Sequence, residues 1–120
     1  MKKILLVDDE ESIHLLYREE LEEEGYKVFS AHSGTDALQK LKNVSPDLIV
    51  LDIYMPGMNG IQVLREIKEL KPNMPVILFS AYPGFKYDFG AWASDAYIVK
   101  STDPDDLKVA VHELLLKKYL

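Results

Sequence analysis

Short apolar runs alternate along the chain with longer stretches in which apolar residues recur every three or four positions. The runs span 4–7, 48–51, 76–79 and 97–99, and each ends in a polar residue: Asp8, Asp52, Ser80 and Lys100. Runs of this length, rich in Val and Ile, predict strands buried on both faces. Residues 28–29 form a weaker fifth candidate after the Gly25-Tyr26 break. Helical spacing groups Ile13, Leu16, Tyr17 and Leu21 within 11–24, and Ala37, Leu38 and Leu41 within 34–42. It also groups Ile61, Leu64, Ile67 and Leu70 within 60–70, and Leu107, Val111, Leu114 and Leu115 within 104–118. Such stripes predict helices with one buried face. Ser12, Ser33, Asn59 and Asp103 are candidate N-caps, and Pro104 suits a first helical turn. Residues 83–93 hold Gly84, Gly90 and four aromatics, Phe85, Tyr87, Phe89 and Trp92. Their helix propensity is poor, so a short or distorted fifth helix is expected there.

Five strands alternating with five helices imply an α/β fold, a doubly wound parallel sheet with helices on both faces and right-handed crossovers. No linker, repeat or low-complexity stretch divides the 120 residues, so one domain over 1–120 is expected. Met1 and the lack of a linker after Leu120 favour a complete or neatly trimmed domain, with a domain cut from a longer chain as the open alternative. The chain has no cysteine, which removes disulfides, thiolate metal sites and cysteine nucleophiles. Its net charge of −6 argues against direct nucleic-acid binding, which needs a basic face. The apolar stretch after Lys2-Lys3 stops at Asp8-Asp9, too short for a signal peptide, and no run approaches a membrane span. A soluble, cytoplasmic domain without a membrane partner is expected.

In an open α/β sheet, ligands bind outside the carboxyl ends of the strands, where the strand order reverses. Asp8, Asp9 and Glu10, then Asp52, Ser80 and Lys100, should gather there. Asp8, Asp9 and Asp52 would repel one another unless a cation joins them. The donor set is all oxygen, which suits a hard divalent ion, Mg²⁺, completed by water and a main-chain carbonyl, with Mn²⁺ as an alternative. An aspartate can also act as a nucleophile toward phosphorus. Asp52 as acceptor, with Lys100 and Ser80 on the phosphoryl oxygens, would supply the positioning and charge neutralisation that phosphoryl transfer requires.

These residues lie in stretches that resemble a known family. Ile4-Leu5-Leu6-Val7-Asp8-Asp9-Glu10, Pro46 to Asp52, Met55-Pro56-Gly57-Met58-Asn59-Gly60, Ser80-Ala81 and Tyr97-Ile98-Val99-Lys100 together resemble the receiver domain of bacterial two-component response regulators, the CheY-like fold. The resemblance implies the flavodoxin-like strand order 2-1-3-4-5. It implies Asp52 as phosphoacceptor, with Mg²⁺ held by Asp8, Asp9, Asp52 and the Tyr54 main-chain carbonyl. It further implies Ser80, Ala81, Tyr97 and Lys100 as the phosphoryl-binding and switch residues, and Tyr54 and Tyr82 as neighbours that restrict the attacking water and slow dephosphorylation. The implied donor is a phosphohistidine on a sensor kinase or phosphotransfer protein. The output partner is open, and a phosphorylation-linked dimer is consistent with the resemblance. The family commonly has proline through a cis bond after the lysine. Here Ser101 follows, and a cis bond before a non-proline residue costs about 2.5–4 kcal/mol, which argues for trans. Ala93-Ser94 also replaces the usual Gly-Ala before the fifth strand.

The run Arg18 to Glu24 reads as a solvated helix end, and His14, His32 and His112 as surface or packing residues away from the acids. An Mg²⁺-dependent phosphohydrolase with an Asp nucleophile is the alternative function. Such enzymes usually place an acid two residues after the nucleophile, and here that residue is Tyr54. A flavodoxin-like cofactor carrier is disfavoured because Asp8 to Glu11 would repel a phosphate. The chain is therefore expected to be a signalling domain rather than an enzyme.

Overall fold

The computed structural model describes residues 1–55, 57, 59–81, 94–101 and 103–118. In chain order these form β1 (Lys3–Val7), α1 (Glu11–Glu23), β2 (Lys27–Ala31), α2 (Gly34–Val44), β3 (Leu48–Asp52), α3 (Gly60–Leu70), β4 (Val76–Ser80), β5 (Ala96–Val99) and α4 (Asp105–Lys118). The five strands make one parallel sheet of order β2-β1-β3-β4-β5, as expected. The helix expected over 83–93 lies outside the described residues.

Period-two alternation divides the sheet between two cores. Ile4, Leu6, Leu48, Val50, Ile77 and Phe79 pack against Tyr17 and Leu21 of α1 and Leu107, Val111 and Leu115 of α4. Leu5, Val7, Ile49, Leu51, Val76 and Leu78 pack against Ala37 and Leu41 of α2 and Val63, Leu64 and Ile67 of α3. The central strands are buried on both faces, which explains their unbroken apolar runs. Each buried Leu, Ile or Val side chain contributes about 1.5–3 kcal/mol of transfer free energy, and together they hold the strand ends in a fixed register.

Ser33 and Asn59 cap α2 and α3 as expected; Asn59 completes a capping box with Gln62. Asp103 Oδ1 accepts from Asp105 N at the start of α4. Ser12 is not a cap: α1 starts at Glu11, with Glu10 extended and no side-chain cap. The inner face of α1 also differs from the expected stripe. His14, Tyr17 and Leu21 are buried, while Leu16 is 44% exposed. Tyr17 and Leu21 keep their expected inner positions, and His14 takes one as well because its ring bonds the buried Asp8 carbonyl. On α3, Val63 takes an inner position and Leu70 is exposed at the helix end. Within the acidic run, Glu20 pairs with Lys108 at 2.5 Å and ties α1 to α4, so the run is not wholly a solvated end. Among the described residues no helix is long and apolar enough to cross a membrane.

Gly60 is required by close approach. A Cβ there would lie 2.2 Å from the Asp52 carbonyl oxygen and 2.6 Å from Ile53 Cα, both backbone atoms. Gly60 N donates to the Ile53 carbonyl at 2.7 Å, so α3 starts directly against the end of β3. Gly60→Ala should therefore destabilise the fold by about 1–3 kcal/mol in urea unfolding, because neither backbone atom can move without moving Asp52.

Candidate functional site

Parallel register brings the predicted residues together. Leu6 pairs with Val50 and Val7 with Leu51, so the next rung sets Asp8 beside Asp52. Asp52 in turn is paired with Phe79, and Phe79 with Ile98. Asp8, Asp52 and Lys100 continue the alternation that faces α1 and α4. Ser80 closes β4 on the other phase, which Tyr97 shares; Tyr97 is half-buried and packs on the α2/α3 core. Ala81 is exposed just beyond.

Lys100 organises the charges. Its ammonium lies 2.7 Å from Asp8 Oδ2 and 3.4 Å from Asp52 Oδ1, with both carboxylates nearly inaccessible to solvent. Burial alone would lower the Lys100 pKa, but the two carboxylates outweigh it and hold the ammonium above its ordinary value. Asp52 is pushed up to about 6, first by burial and then by the Asp8 charge, against the opposing pull of Lys100 and the Tyr54 amide. That amide donates to Asp52 Oδ1 at 3.4 Å, and the Tyr54 side chain is exposed.

Asp8, Asp9 and Glu10 form the acidic end, each offering a carboxylate oxygen within 4.8 Å of the others. Asp9 and Glu10 are exposed, whereas Asp8 is fully buried. Asp8 Oδ1 accepts from Glu10 N at 2.9 Å. Asp8 Oδ2 contacts Lys100 but lies outside hydrogen-bonding geometry, so a buried carboxylate oxygen has no hydrogen-bond donor. A buried carboxylate oxygen held by an ion pair but outside hydrogen-bonding geometry, next to two exposed carboxylates and with only oxygen ligands, fits a hard divalent cation.

His14 was expected away from the acids, and the structure corrects that. It is 2% exposed, and its Nε2–H donates to the Asp8 carbonyl at 2.7 Å. In the neutral ring, Nδ1 accepts from the Ser30 hydroxyl at 3.0 Å, and Arg18 also donates to Ser30 Oγ. His32 stacks beside it with ring centroids 4.2 Å apart and bonds Glu11 at 2.8 Å. No motif carried this contact. Only the one-turn spacing from Tyr17, on the buried side of a helix with few apolar residues, could have suggested it. Lys100–Ser101 is trans, there being no cis bond among the described residues. Tyr82 lies outside them.

Two outcomes follow from these charges and bonds. The folded-state pKa of Asp52 lies above its unfolded value, so its ionised form costs stability, fully above pH 6 and not at all below about pH 4. Without metal at pH 7.5, Asp52→Asn should stabilise the fold by about 1–3 kcal/mol in urea titrations, and the gain should shrink as pH falls through 6. His14→Leu should cost about 1–3 kcal/mol by leaving the Asp8 carbonyl without its donor, and His14→Gln should recover part of that loss.

The comparisons with known proteins agree with this geometry. A family model described as the response regulator receiver domain matches residues 4–112. Sporulation initiation phosphotransferase F of Bacillus subtilis is 36% identical over 124 residues, covering 99% of this chain and 94% of that protein. The alkaline phosphatase synthesis transcriptional regulatory protein PhoP of the same organism is 38% identical over 116 residues; 95% of this chain aligns, but it spans only 48% of PhoP. The response regulator TrrA of Thermotoga maritima, solved in complex with Mg²⁺–BeF, superposes with a TM-score of 0.93 at 46% identity, covering 95% of this chain and 99% of TrrA. A second structure holds TrrA in complex with the histidine kinase ThkA; it matches with a TM-score of 0.91 at 46% identity, over 96% of this chain and 99% of that one. With the 2-1-3-4-5 sheet, these matches identify the chain as a CheY-like member of the response regulator receiver domain family, a component of two-component signalling.

Proposed function

We propose that the chain accepts a phosphoryl group on Asp52 from a phosphohistidine of a sensor kinase or phosphotransfer protein, in an Mg²⁺-dependent reaction in the cytoplasm. The observation that carries this reading is Lys100, whose ammonium bridges the buried Asp8 and Asp52 carboxylates at the carboxyl edge of the sheet. TrrA, similar in sequence along nearly its whole length, was captured with Mg²⁺–BeF and with a histidine kinase, which supports the metal, the phosphoryl chemistry and the donor class.

Asp8 and Asp9, with Asp52 and the Tyr54 main-chain carbonyl, would hold the Mg²⁺, and Mn²⁺ could replace it. The metal, when bound, supplies positive charge against the acids and the incoming phosphoryl oxygens. Asp52, ionised above its pKa of about 6, attacks phosphorus. The O–P bond forms as the P–N bond to the donor imidazole breaks, and the departing imidazole takes a proton from solvent. Lys100 then leaves its ion pairs for the phosphoryl oxygens. The Ser80 hydroxyl turns toward the same oxygens, and Ala81 leaves it room. Tyr97 follows Ser80 and carries the change to the surface that an output partner or a second phosphorylated copy reads. Tyr54, 59% exposed beside Asp52, with Tyr82, restricts the water that would hydrolyse the acyl phosphate. The domain turns over only its own phosphoryl group and is not a general phosphohydrolase.

Intact-mass measurement after incubation with acetyl phosphate and Mg²⁺ tests the reading. Wild type should gain one phosphoryl group, and the gain should vanish with chelator and in Asp52→Asn. A gain that persists in Asp52→Asn, or that ignores chelation, removes it.

A further inference from the structure

Besides the Lys100 ion pairs, hydrogen bonds tie the loop that carries Lys100 to the rest of the fold. On one side, Lys100 N donates to the Ser80 carbonyl at 2.7 Å, extending the β4–β5 ladder. On the other, the Ser101 carbonyl accepts from the hydroxyl of Tyr17 at 2.6 Å, across 84 positions of sequence. Among the described residues, Ser101 Oγ bonds within its own loop, to the Asp103 carbonyl and amide. Beyond the sheet ladder, the phenol on α1 is what anchors the Ser101 backbone among them. Tyr17 is 2% exposed and meets Phe79 edge to face, with centroids 4.9 Å apart and planes at 82°. The Lys100 ammonium lies 5.6 Å from the centroid of the same Phe79 ring. Tyr17 thus bears on Lys100 twice, through the carbonyl next along the chain and through the ring its cation rests against. Burial pushes the Tyr17 hydroxyl pKa up, so it stays a donor at neutral pH.

We infer that Tyr17 is a positioning residue for Lys100: its hydroxyl holds the trans Lys100–Ser101 segment so that the ammonium reaches the phosphoryl end of the site. One turn earlier on the same inner face, His14 holds the Asp8 carbonyl at the acidic end. A single helix therefore fixes both ends of the charge cluster, and the two fixings are separable. The inference rests on the proposed role of Lys100 at the phosphoryl group.

Tyr17→Phe keeps the ring and its contact with Phe79 and removes only the hydroxyl. In the metal-free protein, NMR should show the Lys100 ammonium resonance displaced relative to wild type. In the variant, Mg²⁺ affinity should stay within about twofold of wild type, while beryllofluoride affinity at saturating Mg²⁺ falls about five- to twentyfold, the scale of one lost hydrogen bond. Lys100→Met, run in parallel, should lose most beryllofluoride binding. Tyr17→Phe binding beryllofluoride as wild type does, while Lys100→Met fails, overturns the inference and leaves the site reading standing. A parallel fall of Mg²⁺ affinity, beryllofluoride affinity and melting temperature makes Tyr17 a packing residue and also overturns it. Normal binding by Lys100→Met overturns the role of Lys100 itself, and the inference with it.

Discussion

The ammonium of Lys100 between two buried carboxylates is the contact on which the site depends. Among the described residues one cation, Lys100, faces Asp8 and Asp52 in a setting where solvent screens little, so their two charges outnumber it. Burial and then the Asp8 charge push Asp52 up to about 6, although Lys100 pulls the other way. Added positive charge at the acidic end would relieve that shift.

Register explains why these three side chains meet. A parallel sheet presents alternate residues to opposite faces, and Asp8, Asp52 and Lys100 continue the phase of Leu6, Val50 and Ile98, all on the α1/α4 core. Ser80 and Tyr97 fall on the α2/α3 phase. The charge cluster and the proposed switch pair, Ser80 and Tyr97, are thus divided between the two faces of one sheet edge. Gly60 completes the arrangement by letting α3 begin against the Asp52 backbone, where any side chain would collide.

Helix α1 is more than a cover for the sheet. Its inner face carries polar groups where an ordinary core helix carries leucines. His14 bonds the loop after β1 and Tyr17 the loop after β5, and each bond satisfies a main-chain carbonyl just beyond a strand end. From the exposed side of the helix, Arg18 reaches the Val28 carbonyl of the edge strand β2. The cost is a poorer apolar stripe, and the outer face correspondingly keeps Leu15 and Leu16 in solvent.

The amino-acid sequence by itself determined the element order, the doubly wound class and the residues at the strand ends, because buried parallel strands and amphipathic helices write their periods directly into the chain. It also marked Asp8, Asp9, Asp52, Ser80 and Lys100, since strand-end positions are readable from where each apolar run stops. It placed Tyr17 and Leu21 on the inner face of α1 but not His14, a polar residue outside the apolar stripe. The partners of His14 and Tyr17, the Asp8 and Ser101 carbonyls, are main-chain groups that every residue possesses. The burial of His14 on α1 and the bridging of Asp8 and Asp52 by Lys100 were decided only when the packed sheet brought distant segments within hydrogen-bonding range, because directional bonds depend on ångström-scale placement that no residue pattern encodes.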